Sequence, residues 1–237
     1  MRRYGEPIDV RKIITSVIEA LSKDSARKFV YVEQVYFQMW WNEQTPKVRD
    51  LVRQLVKGEL PPPSVPKLVA AINASPHYLL SGGQLHFANG GWVMHDEACT
   101  HYVSMVDQTT LGHRFLLKEF GYVPRAGWQI DPFGHSSTQA ALLSAGVGFD
   151  SLFFARIDYE DRRNRKASKA MEFVWQASPS LGEKSRVWTS VLDPDYGPLE
   201  GFCFDELTRC PTQEDMHDSV FWNNTQVCLF FITPASL

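Results

Sequence analysis

Ile130-Asp131-Pro132-Phe133-Gly134-His135-Ser136-Ser137 sets a single carboxylate where an apolar strand gives way to a Pro/Gly turn, just ahead of a helix. Upstream, Ala126-Gly127-Trp128-Gln129-Ile130 has the large and branched side chains of a buried strand. Downstream, Ser136 and Ser137 can cap Thr138 to Ala145, with Gly146 as the expected stop. In α/β folds the carboxyl ends of strands line the site, so Asp131 is aimed where a substrate binds.

The same rhythm extends in both directions. Asp9 precedes a helical stripe of Val10, Ile13, Ile14, Val17, Ile18 and Leu21. Phe29-Val30-Tyr31-Val32-Glu33 reads as a strand, and Val35 to Trp41 and Lys47 to Lys57 as helices. Leu60 to Gly83 breaks the alternation with Pro61, Pro62, Pro63, Pro66, Pro76, Gly82 and Gly83, and reads as a loop or insert. Gln84 to Phe87 and Trp92 to Met94 have strand character. His101 to Phe120 predicts a long helix with Val103, Val106, Leu111, Phe115 and Leu116 on its apolar face. Ser151 to Ala155, Phe173 to Trp175 and Val187-Trp188 are further strands, with a charged stretch running to Lys169. Alternating strands and helices predict a parallel α/β sheet or barrel. After about Glu200 the pattern decays into a divergent tail over 201–237, expected to be disordered, and the partial barrel domain is placed in 1–200.

Composition narrows the function. The 237 residues are 44% hydrophobic and 22% charged with a net charge of -3, which argues against non-specific nucleic-acid binding. Val227 to Ile232 is far too short to cross a bilayer, so no membrane partner is expected, and the N-terminus reads as lacking a secretory leader. Cys99, Cys203, Cys210 and Cys228 show no metal-ligand spacing; Cys203 and Cys210 read as free thiols, with a bridge as the alternative. The Asn223-Asn224-Thr225 sequon matters only on a secretory route.

Polar groups stand at four strand ends: Glu33; His95-Asp96-Glu97; Asp131 with His135; and Arg156 with Asp158. Charges are costly to bury, and a barrel would gather these ends into one crater. Each also has a plainer reading. Asp131 can cap the helix after it. His135 is either a metal ligand or acid/base, or a helix-start histidine bonded to backbone. Glu97 and His101 stand four apart, as a metal pair would, yet Asp96 and Glu97 equally suit capping. Arg156 can clamp a carboxylate or a sugar hydroxyl, or pair with Asp158 or Asp161. Phe133 offers an aromatic face suited to sugar C–H groups, and Trp40-Trp41 reads as core before sugar platform.

Three motifs occur in order: Asn89-Gly90-Gly91-Trp92-Val93-Met94-His95-Asp96-Glu97-Ala98, Gly127 to Ser136, and Phe153-Phe154-Ala155-Arg156-Ile157-Asp158-Tyr159, preceded by Phe29 to Glu33 and Trp40-Trp41. Together they closely resemble the N-terminal catalytic domain of family 38 glycoside hydrolases, the class II α-mannosidases, nearest to the lysosomal or vacuolar branch. The resemblance runs from about Tyr4 to Tyr196, apart from the proline-rich insert. It implies a seven-stranded β/α barrel, incomplete in this chain, that holds one zinc ion and hydrolyses terminal α-mannosides of oligosaccharides with retention. It implies that Asp131 is both nucleophile and zinc ligand, and that Phe133, Arg156 and Tyr196 contact substrate. Family members carry a His-x-Asp zinc pair before the first helix found here. A fourth ligand, a histidine, and the acid/base aspartate lie beyond residue 237. Asp131 is thus the one zinc ligand that can be placed, and the chain is expected to be inactive alone. The resemblance also implies a lysosomal or vacuolar location. The alternative is a non-catalytic sugar-binding or regulatory fragment that associates with full-length subunits. A deacetylase-like metal hydrolase would need His and Asp ligands at spacings absent here.

Overall fold

The computed structural model describes residues 10–58 and 83–193, arranged as two units. Tyr196, Cys203, Cys210, Cys228, the sequon, the proline-rich insert apart from Gly83, and the tail lie outside the described residues.

The first unit contains α1 (Val10–Lys23), β1 (Phe29–Tyr31), α3 (Pro46–Lys57) and, from Tyr36 onward, most of α2 (Gln34–Glu43). Its core joins Ile14, Ile18 and Leu21 of α1 to Phe37, Trp40 and Trp41 of α2 and Val52, Leu55 and Val56 of α3. The two tryptophans are therefore core, and the Trp40 indole N–H donates to Thr15 Oγ1 at 2.9 Å. Thr45 caps α3 ahead of Pro46, and Gly58 ends it in the left-handed conformation, as both residue types favour. The Gln84 amide donates to the Leu21, Asp24 and Arg27 carbonyls, which closes the end of α1 against β2 (Leu85–Phe87), the partner of β1 in a two-stranded sheet.

The second unit is built on a four-stranded sheet in the order β3 (Ala126–Gln129), β4 (Ser151–Phe154), β6 (Arg186–Val191) and β5 (Glu172–Gln176). β3, β4 and β6 run parallel, and β5 is an antiparallel edge. This is the α/β class expected, with the parallel strands at its centre; the described strands do not close a barrel. The register pairs Gln129 with Phe154 and Phe154 with Val191, so the carboxyl ends of the three parallel strands lie level. β4 is buried along its whole length, as an inner parallel strand should be. Ala140, Leu143, Phe149, Leu152 and Val187 form the core on one side of it, and Phe154, Met171 and Val191 a second cluster.

α4 (Tyr102–Phe120) forms where the spacing predicts a helix, but it is rotated from the expected face. Met105, Thr109, Gly112, Phe115, Leu116 and Phe120 are buried, while Val103, Val106 and Leu111 are exposed. Gly112 sets the rotation, because a Cβ there would stand 2.0 Å from the Gly90 carbonyl oxygen. Backbone meets backbone at that point, and the apolar stripe yields to it. Trp92 to Met94 is not a strand. The Trp92, Val93 and Met94 N–H groups donate to the Gln108 carbonyl, the Gln108 side chain and Glu33 Oε1, so none is left for a neighbouring strand. The helix after Asp131 is short, α5 (Ser137–Ala141), and passes into a π-helical turn, Leu142–Val147. That wider turn carries the stop from the expected Gly146 to Gly148, whose φ is +92°. Among the described residues no helix is long and apolar enough to cross a membrane.

Candidate active site

Asp131 and Arg156 each lie two residues past a register pair, Gln129 and Phe154, so the level ends of β3 and β4 deliver both to one place. There Arg156 Nη2 donates to Asp131 Oδ1 at 3.0 Å. The side chains are 38% and 56% exposed, which leaves the pair open to solvent and to substrate. The same guanidinium lies 4.5 Å from the centre of the Phe133 ring, and Phe133 is 78% exposed. A carboxylate, a cation and a flat apolar face thus share one surface. An exposed ion pair adds at most about 1 kcal/mol to stability, so what Arg156 supplies is orientation of the carboxylate.

The plainer readings of both residues give way. Ser136 caps α5, accepting from the Gln139 N–H, so Asp131 is not the cap. Asp158 caps α6 (Tyr159–Ser168) and Asp161 bonds Arg165 within it, while Arg156 pairs with Asp131. Arg162 of α6 donates to the Ala155 carbonyl and, at 2.9 Å, to the Leu192 carbonyl, tying the ends of β4 and β6 beside Arg156.

Beneath this surface lies a buried polar layer. Glu97 Oε2 accepts from the Ser136 N–H at 2.7 Å, and Glu97 Oε1 lies 3.0 Å from His135 Nδ1 and accepts from Gln129 Nε2 at 3.3 Å. His135 Nε2 lies 3.0 Å from the Arg156 carbonyl, and its ring stacks on Phe154 with centroids 4.0 Å apart. His135 is therefore the backbone-bonded histidine of the two readings. Glu97 does not join His101 in a metal pair. Glu97 precedes α4 instead of lying on it, and His101 is the exposed N-cap of that helix. Asp96 accepts from the Ala98 and Cys99 N–H groups, which hold its carboxyl below the usual range. Burial lowers the His95 pKa, against the opposing pull of Gln139, Glu97 and Asp96, and Gln108 Nε2 lies 2.8 Å from His95 Nδ1. The anchoring role of Glu97 and Gln129 was missed in the sequence; an amide at the inward position of an apolar strand was the available signal. The cavity under the layer, about 10 Å³ and lined by Gln129, Gln139 and Leu152 among others, is far too small for a sugar ring.

Among the described residues no three His, Cys, Asp or Glu side chains converge on a possible metal site. Zinc needs about four ligands, and Asp131 offers one carboxylate already engaged by Arg156. These residues by themselves do not fit a zinc ion.

The chain is 45% identical over 213 residues to an alpha-mannosidase of Canavalia ensiformis, covering 90% of this chain and 19% of that one. It is 48% identical over 207 residues to an alpha-mannosidase of Arabidopsis thaliana, covering 87% and 18%. It is 44% identical over 230 residues to a lysosomal alpha-mannosidase of Cavia porcellus, covering 96% and 20%. The chain thus spans about a fifth of the length of these curated relatives. A solved 4-alpha-glucanotransferase of Thermococcus litoralis superposes with a TM-score of 0.49 at 13% identity, over 76% of this chain and 23% of that one, too distant a likeness to decide the fold. The sequence profile of the glycosyl hydrolases family 38 N-terminal domain matches residues 2–60 and 72–226, skipping part of the proline-rich stretch and running on past Glu200. With nearly the whole chain matched, it belongs to glycosyl hydrolase family 38, through the N-terminal domain of that family.

Proposed function

We propose that this chain is the nucleophile-bearing part of a retaining α-mannosidase acting on terminal α-mannosyl residues of oligosaccharides. The observation that carries the reading is the placement of Asp131: at the carboxyl end of a parallel strand, open to solvent, turned by Arg156 and flanked by Phe133. A retaining glycosidase needs a carboxylate to attack the anomeric carbon and an acid to protonate the departing oxygen. Asp131 supplies the first, and forms a glycosyl ester that water then hydrolyses. The acid lies outside the described residues. Arg156 fixes the rotation of the attacking group, because one of its oxygens is held by the guanidinium. Phe133 packs against the C–H face of the sugar, and Tyr196 adds a substrate contact.

Asp131 would also be one ligand of the zinc ion that the family resemblance implies. The described residues do not hold the ion alone, and the chemistry assigned to this chain runs through its own side chains. The names of the mammalian relatives support a lysosomal location.

The test is a chimera in which this chain replaces the matching segment of the Canavalia ensiformis relative. Folded chimera should release p-nitrophenol from p-nitrophenyl α-mannoside, and Asp131→Asn should lower the rate by on the order of 10⁴-fold or more. Turnover that survives the substitution removes Asp131 as nucleophile.

A further inference from the structure

His135 is bonded in a way that counts its protons. Nδ1 lies 3.0 Å from Glu97 Oε1 and Nε2 lies 3.0 Å from the Arg156 carbonyl oxygen. A carbonyl and an ionised carboxylate only accept, and a neutral imidazole has one N–H to give. With a single ring proton, one nitrogen lone pair would face an oxygen lone pair inside a buried site, where His135 and Glu97 are only 9% and 4% exposed. One further proton resolves this, carried either by the ring or by Glu97. Glu97 also accepts from the Ser136 N–H at 2.7 Å and the Gln129 amide at 3.3 Å, and donors aimed at a carboxyl favour its ionised form. The proton therefore belongs to the ring.

We infer that His135 is held doubly protonated between Glu97 and the Arg156 carbonyl, as a positioning residue that ties the Asp131 turn to the strand end bearing Arg156. Four residues after Asp131, the ring grips the backbone of the residue whose side chain grips Asp131. Glu97 closes the ring of contacts through the Ser136 N–H on the same turn. The other titratable or charged groups nearby are accounted for. The Arg156 guanidinium is turned to Asp131 and Phe133, and the His95 ring bonds Gln108. Asp96 is engaged by the Ala98 and Cys99 N–H groups. Phe154 covers one face of the imidazole. The inference deepens the reading of Asp131 as nucleophile, but its test needs neither substrate nor metal, so the two fail separately.

The experiment is long-range ¹H–¹⁵N spectroscopy of histidine rings in the 237-residue chain at pH 7, with His135 assigned through its backbone. Both His135 nitrogens should show the shifts of protonated imidazolium. One protonated and one bare nitrogen would overturn the inference. In Glu97→Gln, with the fold checked by circular dichroism, the ring should give up one proton while the remaining histidines keep their signals. Retention of both protons there would remove Glu97 as the cause. If that variant fails to fold, the spectrum of the native chain still decides the ring's protonation.

Discussion

Glu97 accepts from the Ser136 N–H and the Gln129 amide and lies against His135 Nδ1 while nearly buried, whereas Asp131 meets Arg156 in the open, and the two carboxylates should answer mutation in opposite ways. Glu97→Gln keeps the shape but turns an amide N–H₂ toward a donor and removes the counter-charge of His135. Leaving buried polar groups unmatched costs about 1–3 kcal/mol, and more where a charge loses its partner. Urea unfolding should therefore record a loss of about 2–4 kcal/mol. Asp131→Asn should move the same curve by less than about 1 kcal/mol, because an exposed ion pair adds little. Comparable losses at the two positions would contradict the division of labour between anchor and reacting group.

Helix α4 is placed by a glycine as much as by its apolar residues. Gly112 packs on the Gly90 and Gly91 backbone with no room for a methyl group, so Gly112→Ala must move one segment off the other. Overpacking of this kind costs about 3 kcal/mol. Gly121, at φ +65° with nothing within 4 Å, should lose only about 1 kcal/mol on the same change, from backbone strain alone. Thermal melts of the two variants should rank them in that order, and a Gly121 variant less stable than the Gly112 one would sink the packing account. The same contact explains what the sequence withheld. The elements with strong periodicity or clear caps are legible: α1, α2, α3, β3, β4 and the existence of α4. The rotation of α4 is not, because hydropathy records apolar side chains and is silent on a backbone contact from a loop twenty residues away. Trp92 to Met94 misleads for a related reason, its β-favouring side chains masking N–H groups already taken by Gln108 and Glu33. Asp131, Phe133 and Arg156 could be nominated from their place after strands. That Asp131 and Arg156 meet depends on register, and register appears only when β3 and β4 pair.

Across the chain, three histidines, His95 buried and His86 and His113 half-buried, make stability fall with acidity. Burial lowers the pKa of His86, His95 and His113, with Lys28 adding to the effect at His86 and the Asn89 carbonyl opposing it at His113. Above the ordinary imidazole value of about 6.5, these rings are neutral folded or unfolded, and their full contribution is present. As pH falls through that value toward the lower folded ones, the unfolded chain takes up protons first and stability declines. Between pH 7.5 and 5 the native chain should lose unfolding free energy relative to His113→Gln, while a His135 ring already protonated in the fold works in the opposite direction. A constant difference between the two proteins would mean that the His113 ring does not charge on unfolding. Zinc added to the chain should give no saturable heat by titration calorimetry, since the described residues bring one carboxylate to the ion; a one-to-one binding curve would show that further ligands exist within the 237 residues. If Asp131 is the nucleophile, the mannosyl group becomes bonded to its carboxylate and can be trapped there. The folded chimera is treated with a 2-deoxy-2-fluoro or 5-fluoro α-mannosyl fluoride, digested and read by mass spectrometry. The label should sit on the peptide containing Asp131 and be lost in Asp131→Asn; a label on any other residue would rule Asp131 out as nucleophile.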